Sequence, residues 1–507
     1  MEKTKKNKES NLNFYSRQIG TFGIDTINKL SKLNIIIFGL RGLGVEIAKN
    51  IILSGPNKVL LYDYHISKIN DLSNNFYLQL KDVNKKRLDE AVIEKLKFLN
   101  DDVDVGILDS NEKLFESSKI SKEKNFFNYL RNINVIILTE ICHSNIINEI
   151  ENFCFENNKG FIYSGCLGLS GFIYNNFGKN FTVNEPYTKK RRIYCIKSIK
   201  KLNDEIKNDK MIFKQLLIEY ENNMKDSLPL QKGDYIIFDE IEGMEFLNQK
   251  NTSNIFKIVK ENDNQSFIIN FYSEDINFMK NFNNYNYKKG GSIKEYIYPI
   301  QMNFQTFDKC IENPCFDSNL LNFPVNELNH SLIYAVQKYY DNYLSLPELN
   351  DEFQAQLIVK EAKAFFDRKV KEQNEKNINN EKDNEDSESK SDDNSSSSER
   401  EIDMNFGRFQ PLFFKSKNFD INKITNLSKW LKSQISPVCS YFGGIVSQEI
   451  VKYTGKYIQN NQFYWYDFYD SVKAVVENNK INQSYKEINR YGDQISIFGN
   501  KIQKIIS

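Results

Sequence analysis

Glycine residues near the N-terminus form the segment most typical of phosphate-binding chemistry. Gly39, Gly42 and Gly44 follow a short apolar run and precede a stretch with helical spacing, and Asp63 ends the next apolar run. In such a turn the backbone can approach a phosphate, the helix N-terminus offers free N–H groups, and the acidic residue can hold a ribose. The order G-x-x-G-x-G differs from the dinucleotide order G-x-G-x-x-G. The segment therefore indicates the fold more than a cofactor, and glycines that only pack helix against strand are the favoured alternative.

Arg41 and the cysteines are the other residues with reactive side chains. Arg41 lies inside the glycine segment, where its guanidinium either meets a phosphate or is a surface cation. A nucleophilic cysteine needs a lowered pKa and an accessible position, and Cys166 sits in a flexible Ser-Gly-Cys-Leu-Gly setting. An odd number of cysteines without regular spacing, in a chain with no secretory signal, indicates a reducing compartment. The seven cysteines are Cys142, Cys154, Cys166, Cys195, Cys310, Cys315 and Cys439.

Metal-ligand patterns are weak in this sequence. Cys310, Cys315 and His330 offer three ligands, but a fourth at suitable spacing is lacking. His65 and His143 have no partner pattern and are expected at the surface. We therefore predict no metal site.

Strand-like and helical segments alternate in the part of the chain that carries the glycines. The runs Asn34–Phe38, Lys58–Tyr62, Asn134–Leu138 and Gly160–Tyr163 are short, apolar and β-branched or aromatic, and Val45–Leu53 has helical spacing. Strands that alternate with helices predict an α/β fold with a parallel, doubly wound sheet.

The pattern changes downstream of Gly178. Short runs such as Ile193–Ile199, Asp234–Phe238 and Ser266–Phe271 predict a mostly antiparallel module, inserted after the fourth strand. Residues 304–369 then space their apolar side chains at three and four, which predicts helices.

A low-complexity stretch interrupts the helical region before the folded pattern resumes. Lys371–Glu401 has almost no apolar residues, so burial cannot offset the entropy of ordering it, and we predict a disordered insertion. Beyond it, Tyr441–Tyr453 reads as a helix and Gln462–Phe468 as a strand.

A short internal repeat links the two ends of the chain. Residues 18–23 and 494–499 share the pattern Q-I-x-x-F-G, and each is followed by a helical stretch with Ile and Lys. Only the first copy leads on to a strand and a glycine turn before the sequence stops. The repeat predicts a duplicated domain whose second copy has just begun.

Composition excludes some classes of function. The 507 residues carry 68 Lys and Arg against 67 Asp and Glu, which disfavours a broadly basic nucleic-acid binder. No apolar run approaches the length of a membrane span, and Met1–Asn11 has no apolar core of a secretory signal. We therefore expect neither a nucleic acid nor a membrane as partner.

Six collinear segments resemble the N-terminal half of the ubiquitin-activating enzymes, and the resemblance covers nearly the whole chain apart from the low-complexity insertion. Their order makes the resemblance more specific than any one motif. The segments are Tyr15–Ile19 followed by Gly39–Leu53, Asp71–Leu78, Gly233–Asn248, Gly443–Tyr457 and Asn489–Gly499.

The resemblance implies a ThiF-like Rossmann-type adenylation fold and a reaction. In this family, ATP and the ubiquitin C-terminus form an acyl adenylate, and a catalytic cysteine then takes the acyl group as a thioester for a conjugating enzyme. Two adenylation domains pair, and only the second binds ATP. The resemblance therefore implies ubiquitin, an active adenylation half in cis or in trans, and conjugating enzymes as partners. It also implies ATP and magnesium in the intact enzyme and a cytoplasmic and nuclear location.

The adenylation half in this chain departs from the active pattern. The stretch Ser73–Phe76 lacks the arginine that serves the nucleotide, and Leu138–Ile141 lacks the magnesium aspartate. An adenylation site needs cations to neutralise phosphate charge. We therefore predict that this chain alone binds no cofactor, that Gly39, Arg41, Gly42, Gly44 and Asp63 are a vestigial nucleotide site, and that none of the seven cysteines is the thioester cysteine.

Arg17 is the one residue that the resemblance assigns to chemistry. It maps onto the family arginine that reaches across the paired domains to the ATP phosphates, a task that suits a guanidinium because it stays charged. In the second copy of the repeat Asp493 stands in its place. The alternative is an arginine that only caps or pairs on its helix.

Two other hypotheses compete with this interpretation. One is a non-catalytic regulatory subunit of a heterodimeric activating enzyme for a ubiquitin-like modifier. The other, less favoured by the glycine order, is a dinucleotide-dependent oxidoreductase.

The resemblance also implies a division of the chain. The expected segments are an inactive adenylation domain (1–177, returning at 403–480), a first catalytic-cysteine half-domain (178–292), a four-helix region (293–370), a disordered insertion (371–402) and the start of an active adenylation domain (481–507).

Overall fold

The chain folds into two compact units. One consists of Met1–Val183 with Ile300–Ser507, and the other of Asn184–Pro299. A computed structural model describes residues 14–86, 91–108, 126–186, 192–208, 211–221, 230–248, 254–263, 265–273, 275–316, 326–387, 410–411, 414, 418–459, 462–478 and 489–506.

Both chain segments of the larger unit contribute strands, and in the sequence the strands of the smaller unit come between these two segments. In chain order the strands are β1 (Asn34–Phe38), β2 (Lys58–Tyr62), β3 (Asp104–Ile107), β4 (Val135–Leu138), β5 (Gly160–Leu167), β6 (Ser170–Asn176), β7 (Phe181–Val183), β8 (Ile193–Asn208), β9 (Met211–Glu221), β10 (Tyr235–Glu242), β11 (Phe256–Asp263), β12 (Ser266–Phe271), β13 (Lys289–Glu295), β14 (Ile300–Met302), β15 (Cys315–Phe316), β16 (Gln410–Pro411) and β17 (Phe463–Asp467).

Helices are concentrated in the larger unit. In chain order they are α1 (Ser16–Phe22), α2 (Ile24–Leu30), α3 (Gly42–Ser54), α4 (Ile93–Lys97), α5 (Phe126–Tyr129), α6 (Ser144–Glu156), α7 (Ile276–Lys280), α8 (Phe307–Glu312), α9 (Asn326–Tyr343), α10 (Glu352–Ser387), α11 (Ile421–Lys429), α12 (Ser436–Lys452), α13 (Tyr469–Asn478) and α14 (Gly492–Ile506). None of the helices among the described residues is long and apolar enough to cross a bilayer.

A mixed seven-stranded sheet organises the larger unit, in the order β17-β6-β5-β4-β1-β2-β3. Strands β1 to β5 pair in parallel, whereas β6 and β17 extend the sheet in antiparallel fashion. All of β4 and nearly all of β1 are buried, as expected for central strands with both faces covered. The predicted α/β fold with a parallel core is therefore confirmed, with an antiparallel extension at one edge.

The internal repeat is also a structural repeat. Gly23 joins α1 to α2 with φ 85° and ψ 155°, and Gly499 interrupts α14 with φ 77° and ψ 163°. Both angles lie where only glycine is comfortable, so the F-G pair specifies the same sharp break between two helical turns in each copy.

The smaller unit is a closed six-stranded antiparallel barrel in the order β10-β11-β12-β9-β8-β13. Its interior is filled by aliphatic and aromatic side chains, including Tyr220, Phe238 and Phe267. Arg192 closes one end by bridging Asp234 and Glu295 at 2.6 and 2.8 Å. The antiparallel module predicted from the short β-like runs is thus present, and it begins after β7 instead of after the fourth strand.

Helix α10 runs further than the sequence suggests. Disorder was expected from Lys371, but the helix continues to Ser387. The stretch beyond Phe366 contains several Lys and Glu residues, which are good helix formers and extend a helix that is already nucleated on the core. The rest of the expected disordered insertion, from residue 388 to 402, lies outside the described residues, as does 481–488 at the expected start of the second domain.

Candidate functional site

The glycine turn connects β1 to α3 and requires its glycines for steric reasons. Gly39 has φ 91°, and its N–H donates to the carbonyl of Tyr62 on the neighbouring strand. A Cβ on Gly44 would lie 1.9 Å from the carbonyl oxygen of Gly39, and one on Gly42 would lie 2.9 Å from Asn74 and Cys439. The backbone therefore closes on itself at this turn, so the packing alone accounts for the glycines.

Arg41, the N-cap of α3, is enclosed by acceptors from three other parts of the chain. Its Nη2 donates to Asp493 at 2.7 Å, its Nε to Asp71 at 3.2 Å, and its Nη1 to the carbonyl of Lys432 at 2.9 Å. The Arg41 side chain is 20% exposed. A guanidinium that already faces two carboxylates has little remaining positive potential for a phosphate.

Asp493 enters this site from the second copy of the repeat. Its carboxylate, 1% exposed, also accepts hydrogen bonds from Asn70 Nδ2 and from the backbone N–H of Gln434. Ser496, one turn later in α14, shares a hydrogen bond with Ser433. Helix α14 is therefore fastened against the glycine turn by buried polar contacts.

Asp63 follows β2 and is buried against the same turn. Its Oδ2 accepts the N–H of Leu40 at 2.8 Å, and its Oδ1 accepts the N–H of His65 at 2.9 Å. The His65 imidazole Nδ1 also lies 3.1 Å from Oδ1. Both carboxylate oxygens thus accept hydrogen bonds from the protein's own backbone. A ribose would have to compete with these N–H groups for the carboxylate.

A small crevice, with a cavity volume of about 70 Å³, opens at the carboxyl ends of β1, β2 and β4. Its polar lining is dominated by Asp63, Glu140 and His65, with Tyr62, Tyr64 and Tyr340 around them. Burial raises the pKa of Tyr340 well above its usual value, so the phenol stays protonated. The crevice occupies the usual ligand position of a doubly wound sheet, but it is lined by carboxylates.

Sequence reasoning missed two residues of this crevice, Glu140 and His65. From the sequence, Glu140 stood out only because it lies in the stretch that lacks the magnesium aspartate. His65 and His143 were expected at the surface. Both histidines are partly exposed, but each has a partner that the sequence does not reveal, because His65 pairs with Asp63 and His143 caps α6 by accepting the N–H of Asn145. The signal that could have found His65 and Glu140 is their position just after the ends of β2 and β4.

The stretch from Ser73 to Phe76, where the active pattern has its arginine, is occupied by structural amides. Asn74 donates to the carbonyl of Gln434, and Asn75 donates to the carbonyl of Leu40 in the glycine turn. Both asparagines are buried. These amides hold the loop against the turn and bring no positive charge to it.

Arg17 lies on the exposed side of α1. Tyr15 is buried and accepts a hydrogen bond from Asn100, while Gln18 donates to the carbonyl of Leu53 at the end of α3. These two anchors turn Arg17 toward solvent. No ion pair or hydrogen bond of its guanidinium is found within the described part of the chain, so the alternative of a paired helix arginine finds no partner there.

Burial makes five of the cysteines poor nucleophiles in this fold. Cys142, Cys154, Cys166, Cys310 and Cys439 are buried. Burial, together with the neighbouring Cys439 thiol, raises the pKa of Cys166 well above its usual value, so the thiolate is disfavoured. Cys195 is exposed. His330 was considered as a metal ligand together with Cys310. Its Nε2 is instead hydrogen-bonded to the carbonyl oxygen of Ile311.

Comparison with known proteins identifies relatives along nearly the entire chain. Residues 15–487 match the model of the ThiF family. The chain is 26% identical over 511 residues to "Ubiquitin-activating enzyme E1 2" of Arabidopsis thaliana, covering 98% of this chain and 39% of that protein. It is 25% identical over 500 residues to "Ubiquitin-activating enzyme E1 1" of Candida albicans (strain WO-1), covering 97% and 40%. The chain therefore spans about two-fifths of the length of these relatives.

Among solved structures, the "Crystal structure of E. coli MccB + Succinimide" aligns with a TM-score of 0.27 and 17% identity, covering 32% of this chain and 47% of that chain. A second MccB structure, with MccA-N7isoASN, aligns with a TM-score of 0.28 and 18% identity, covering 33% and 49%.

Proposed function

The chain belongs to the ThiF family, and we propose that it serves as the non-catalytic N-terminal half of a ubiquitin-activating enzyme. In this proposal it supports ATP-dependent adenylation of the ubiquitin C-terminus, which a second adenylation domain carries out. The alternative is a separate regulatory subunit that pairs with a catalytic chain for a ubiquitin-like modifier. Both forms share one physical claim, which is that this half does not hold the reacting nucleotide.

The observation that carries the proposal is the enclosure of Arg41 by Asp71 and Asp493. A triphosphate at the glycine turn would have to displace two carboxylates from Arg41 and approach a third, that of Asp63. Phosphoryl and adenylyl chemistry depends on positive charge at the developing oxyanions. ATP and magnesium therefore do not fit this turn.

The crevice beside the turn supports the same conclusion. Asp63 and Glu140 give it negative charge, and the imidazole of His65 lies between them, 3.1 and 3.6 Å from their oxygens. Magnesium prefers oxygen ligands and keeps several waters, so an imidazole in the middle of the set disfavours it. The nucleotide site is better placed in another adenylation domain.

Arg17 is the contribution that we propose this half makes to chemistry. Tyr15 and Gln18 fix α1 to the core, and the guanidinium between them extends into solvent, where a partner domain can meet it. Because arginine presents several donors in one plane and stays charged, it can bind phosphate oxygens of ATP held by the other domain. In the second copy of the repeat the equivalent residue is Asp493, which faces inward. Only the first copy therefore offers an arginine to the nucleotide site of a partner domain.

The remaining assignments follow from the proposal. ATP and magnesium act in the intact enzyme, ubiquitin is the substrate, and conjugating enzymes bind beyond this half. We propose that the enzyme works in the cytoplasm and nucleus.

Pyrophosphate exchange tests the proposal directly. The purified chain, with ATP, magnesium and ubiquitin, should give no ubiquitin-dependent exchange, whereas the enzyme that also contains the active half should exchange. Exchange by this chain alone would contradict the proposal. Transcript sequence past Ser507 separates the two forms, because a further strand and glycine turn support one continuous enzyme and a stop supports the separate subunit.

A further inference from the structure

Three potential metal ligands converge at the rim of the crevice in the larger unit. Asp63 follows β2, His65 lies two residues further, and Glu140 lies two residues beyond the end of β4. The Nδ1 of His65 is 3.1 Å from Asp63 Oδ1 and 3.6 Å from Glu140 Oε2, and one ligand atom from each of the three residues lies within 4.8 Å of the other two. The arrangement brings together one imidazole and two carboxylates from different strands.

The separations match those between ligands of a tetrahedral ion. With metal–ligand bonds of about 2.0–2.1 Å, neighbouring ligand atoms around tetrahedral zinc lie about 3.3 Å apart. The two contacts of His65 fall on either side of that value. The ligand oxygens of Asp63 and Glu140 lie within 4.8 Å of each other, so a small rotation of the partly exposed Glu140 side chain brings them to that value.

The surroundings orient the ligands as outer-shell contacts do in metal sites. Asp63 is fixed through Oδ2 by the N–H of Leu40, which leaves Oδ1 directed at His65. The imidazole of His65 stacks on Tyr64, with ring centroids 4.0 Å apart. Contacts of this kind hold ligand side chains in place before the ion arrives and strengthen its binding.

The crevice gives an ion access to the three side chains and leaves room for a water as a further ligand. The Asp63 side chain is fully buried, whereas those of His65 and Glu140 are 37% and 34% exposed and face the opening. An ion bound by the three side chains can therefore take a water from the crevice as its fourth ligand.

We propose that Asp63, His65 and Glu140 form a binding site for one divalent transition-metal ion, for which Zn²⁺ is the best match. The proton that Nδ1 shares with Asp63 moves to Nε2, so the neutral imidazole ligates through Nδ1 without a change in its charge. An imidazole ligand favours zinc over magnesium or calcium, which prefer oxygen. The proposal does not rest on the absence of nucleotide chemistry in this half, and it concerns a different ion from the magnesium of the adenylation reaction.

Metal titration of the whole chain tests the site. We would use Cys195→Ser as the parent, because this removes the exposed thiol, and titrate the metal-free protein with Zn²⁺ and with Co²⁺ in the absence of nucleotide. The parent should bind one equivalent, give the visible absorption of tetrahedral Co²⁺, and melt at a higher temperature with Zn²⁺ than with Mg²⁺.

Two variants remove a ligand while keeping its shape. His65→Phe retains the stacking on Tyr64, and Glu140→Gln is isosteric, and each should weaken Zn²⁺ binding at least about tenfold. Matched controls are His143→Asn, which keeps a capping side chain, and the exposed Glu156→Gln, and neither should change binding. Melting of each variant in chelator verifies that it folds.

Absence of a bound equivalent in the parent overturns the proposal, as does binding that survives either ligand substitution. Because the readouts require neither ATP nor ubiquitin, their failure would leave the proposed function untouched, and failure of the exchange experiment would leave the metal site untouched.

Discussion

The guanidinium Nη2 of Arg41 lies 2.7 Å from Oδ2 of Asp493, although 452 positions separate the two residues in the sequence. One belongs to the glycine turn, and the other to the second copy of the repeat. In the first copy the position of Asp493 is held by Arg17, which faces solvent. The same backbone motif thus presents a cation outward in one copy and a buried carboxylate inward in the other.

Removing the Asp493 carboxylate should destabilise the larger unit. Asp493→Ala removes the acceptor that Arg41 Nη2, Asn70 and the N–H of Gln434 share in a buried site, so we expect a loss of about 2–3 kcal/mol in the free energy of unfolding, moderated because Arg41 keeps Asp71 and the carbonyl of Lys432. Asp493→Asn keeps one acceptor and should cost about 1 kcal/mol. Urea denaturation followed by circular dichroism measures both.

The exposed Asp101→Asn is the control for the loss of one negative charge, and it should leave the unfolding midpoint within error. Equal stability of Asp493→Ala and the wild type would show that the contact with Arg41 contributes nothing net.

Two glycines in helices should respond to alanine with opposite sign. A Cβ on Gly44 in α3 would lie 1.9 Å from the carbonyl oxygen of Gly39, a backbone atom that cannot move without opening the turn. Gly44→Ala should therefore lower the free energy of unfolding by about 2–3 kcal/mol. In α12, a Cβ on Gly444 meets nothing within 4 Å, so Gly444→Ala should raise it by about 0.5–1 kcal/mol through helix propensity. Thermal melts of both variants decide the matter, and a stabilised Gly44→Ala would refute the close approach.

Much of the fold could be predicted because its central strands are buried on both faces. Such strands leave continuous β-branched runs, and Asn34–Phe38 and Lys58–Tyr62 were predicted with the bounds that β1 and β2 have. Strand β6 was missed because Gly171 and the asparagines at its end have low β propensity, and only pairing with β5 and β17 makes it a strand.

The site was less predictable because its contacts are long-range. The sequence indicates the turn at Gly39, but nothing local to Arg41 reveals that Asp493 and Asp71 will pair with it. The crevice likewise depends on β2 and β4 lying on either side of β1, which brings His65 and Glu140 together although no spacing rule relates them. Order along the chain predicts which elements form, whereas tertiary packing decides which charges meet.

Loss of the Arg17 guanidinium should slow adenylation without unfolding the protein. In the enzyme that contains both halves, Arg17→Ala should reduce ubiquitin-dependent pyrophosphate exchange roughly 100-fold, because one phosphate-binding donor set is removed from the charged transition state. Since the side chain is exposed, the free energy of unfolding should change by less than about 0.5 kcal/mol.

Arg131→Ala, another exposed arginine in the same unit, is the matched control and should exchange at the wild-type rate. Arg17→Lys tests geometry against charge, because lysine keeps the charge but lacks the planar donors, so a partial rate is expected. Wild-type exchange by Arg17→Ala would eliminate the proposed contact.

Acid should destabilise the larger unit through His330, whose imidazole is fully buried among Phe365, Phe463 and Trp465. Burial lowers the pKa of His330 from 6.5 to about 4. The unfolded chain therefore binds a proton as the pH falls below about 6.5 while the folded chain does not until about 4, so stability is complete above this window and declines within it.

The expected loss between pH 7.5 and 5 is about 2 kcal/mol. Burial raises the pKa of Glu151, so this group contributes with the opposite sign because its folded form retains a proton to a higher pH. His330→Gln isolates the histidine, since glutamine can still donate to the carbonyl of Ile311 but does not titrate. Urea denaturation at both pH values should show a steeper decline in the wild type than in His330→Gln, and parallel declines would mean that burial does not lower the pKa of His330.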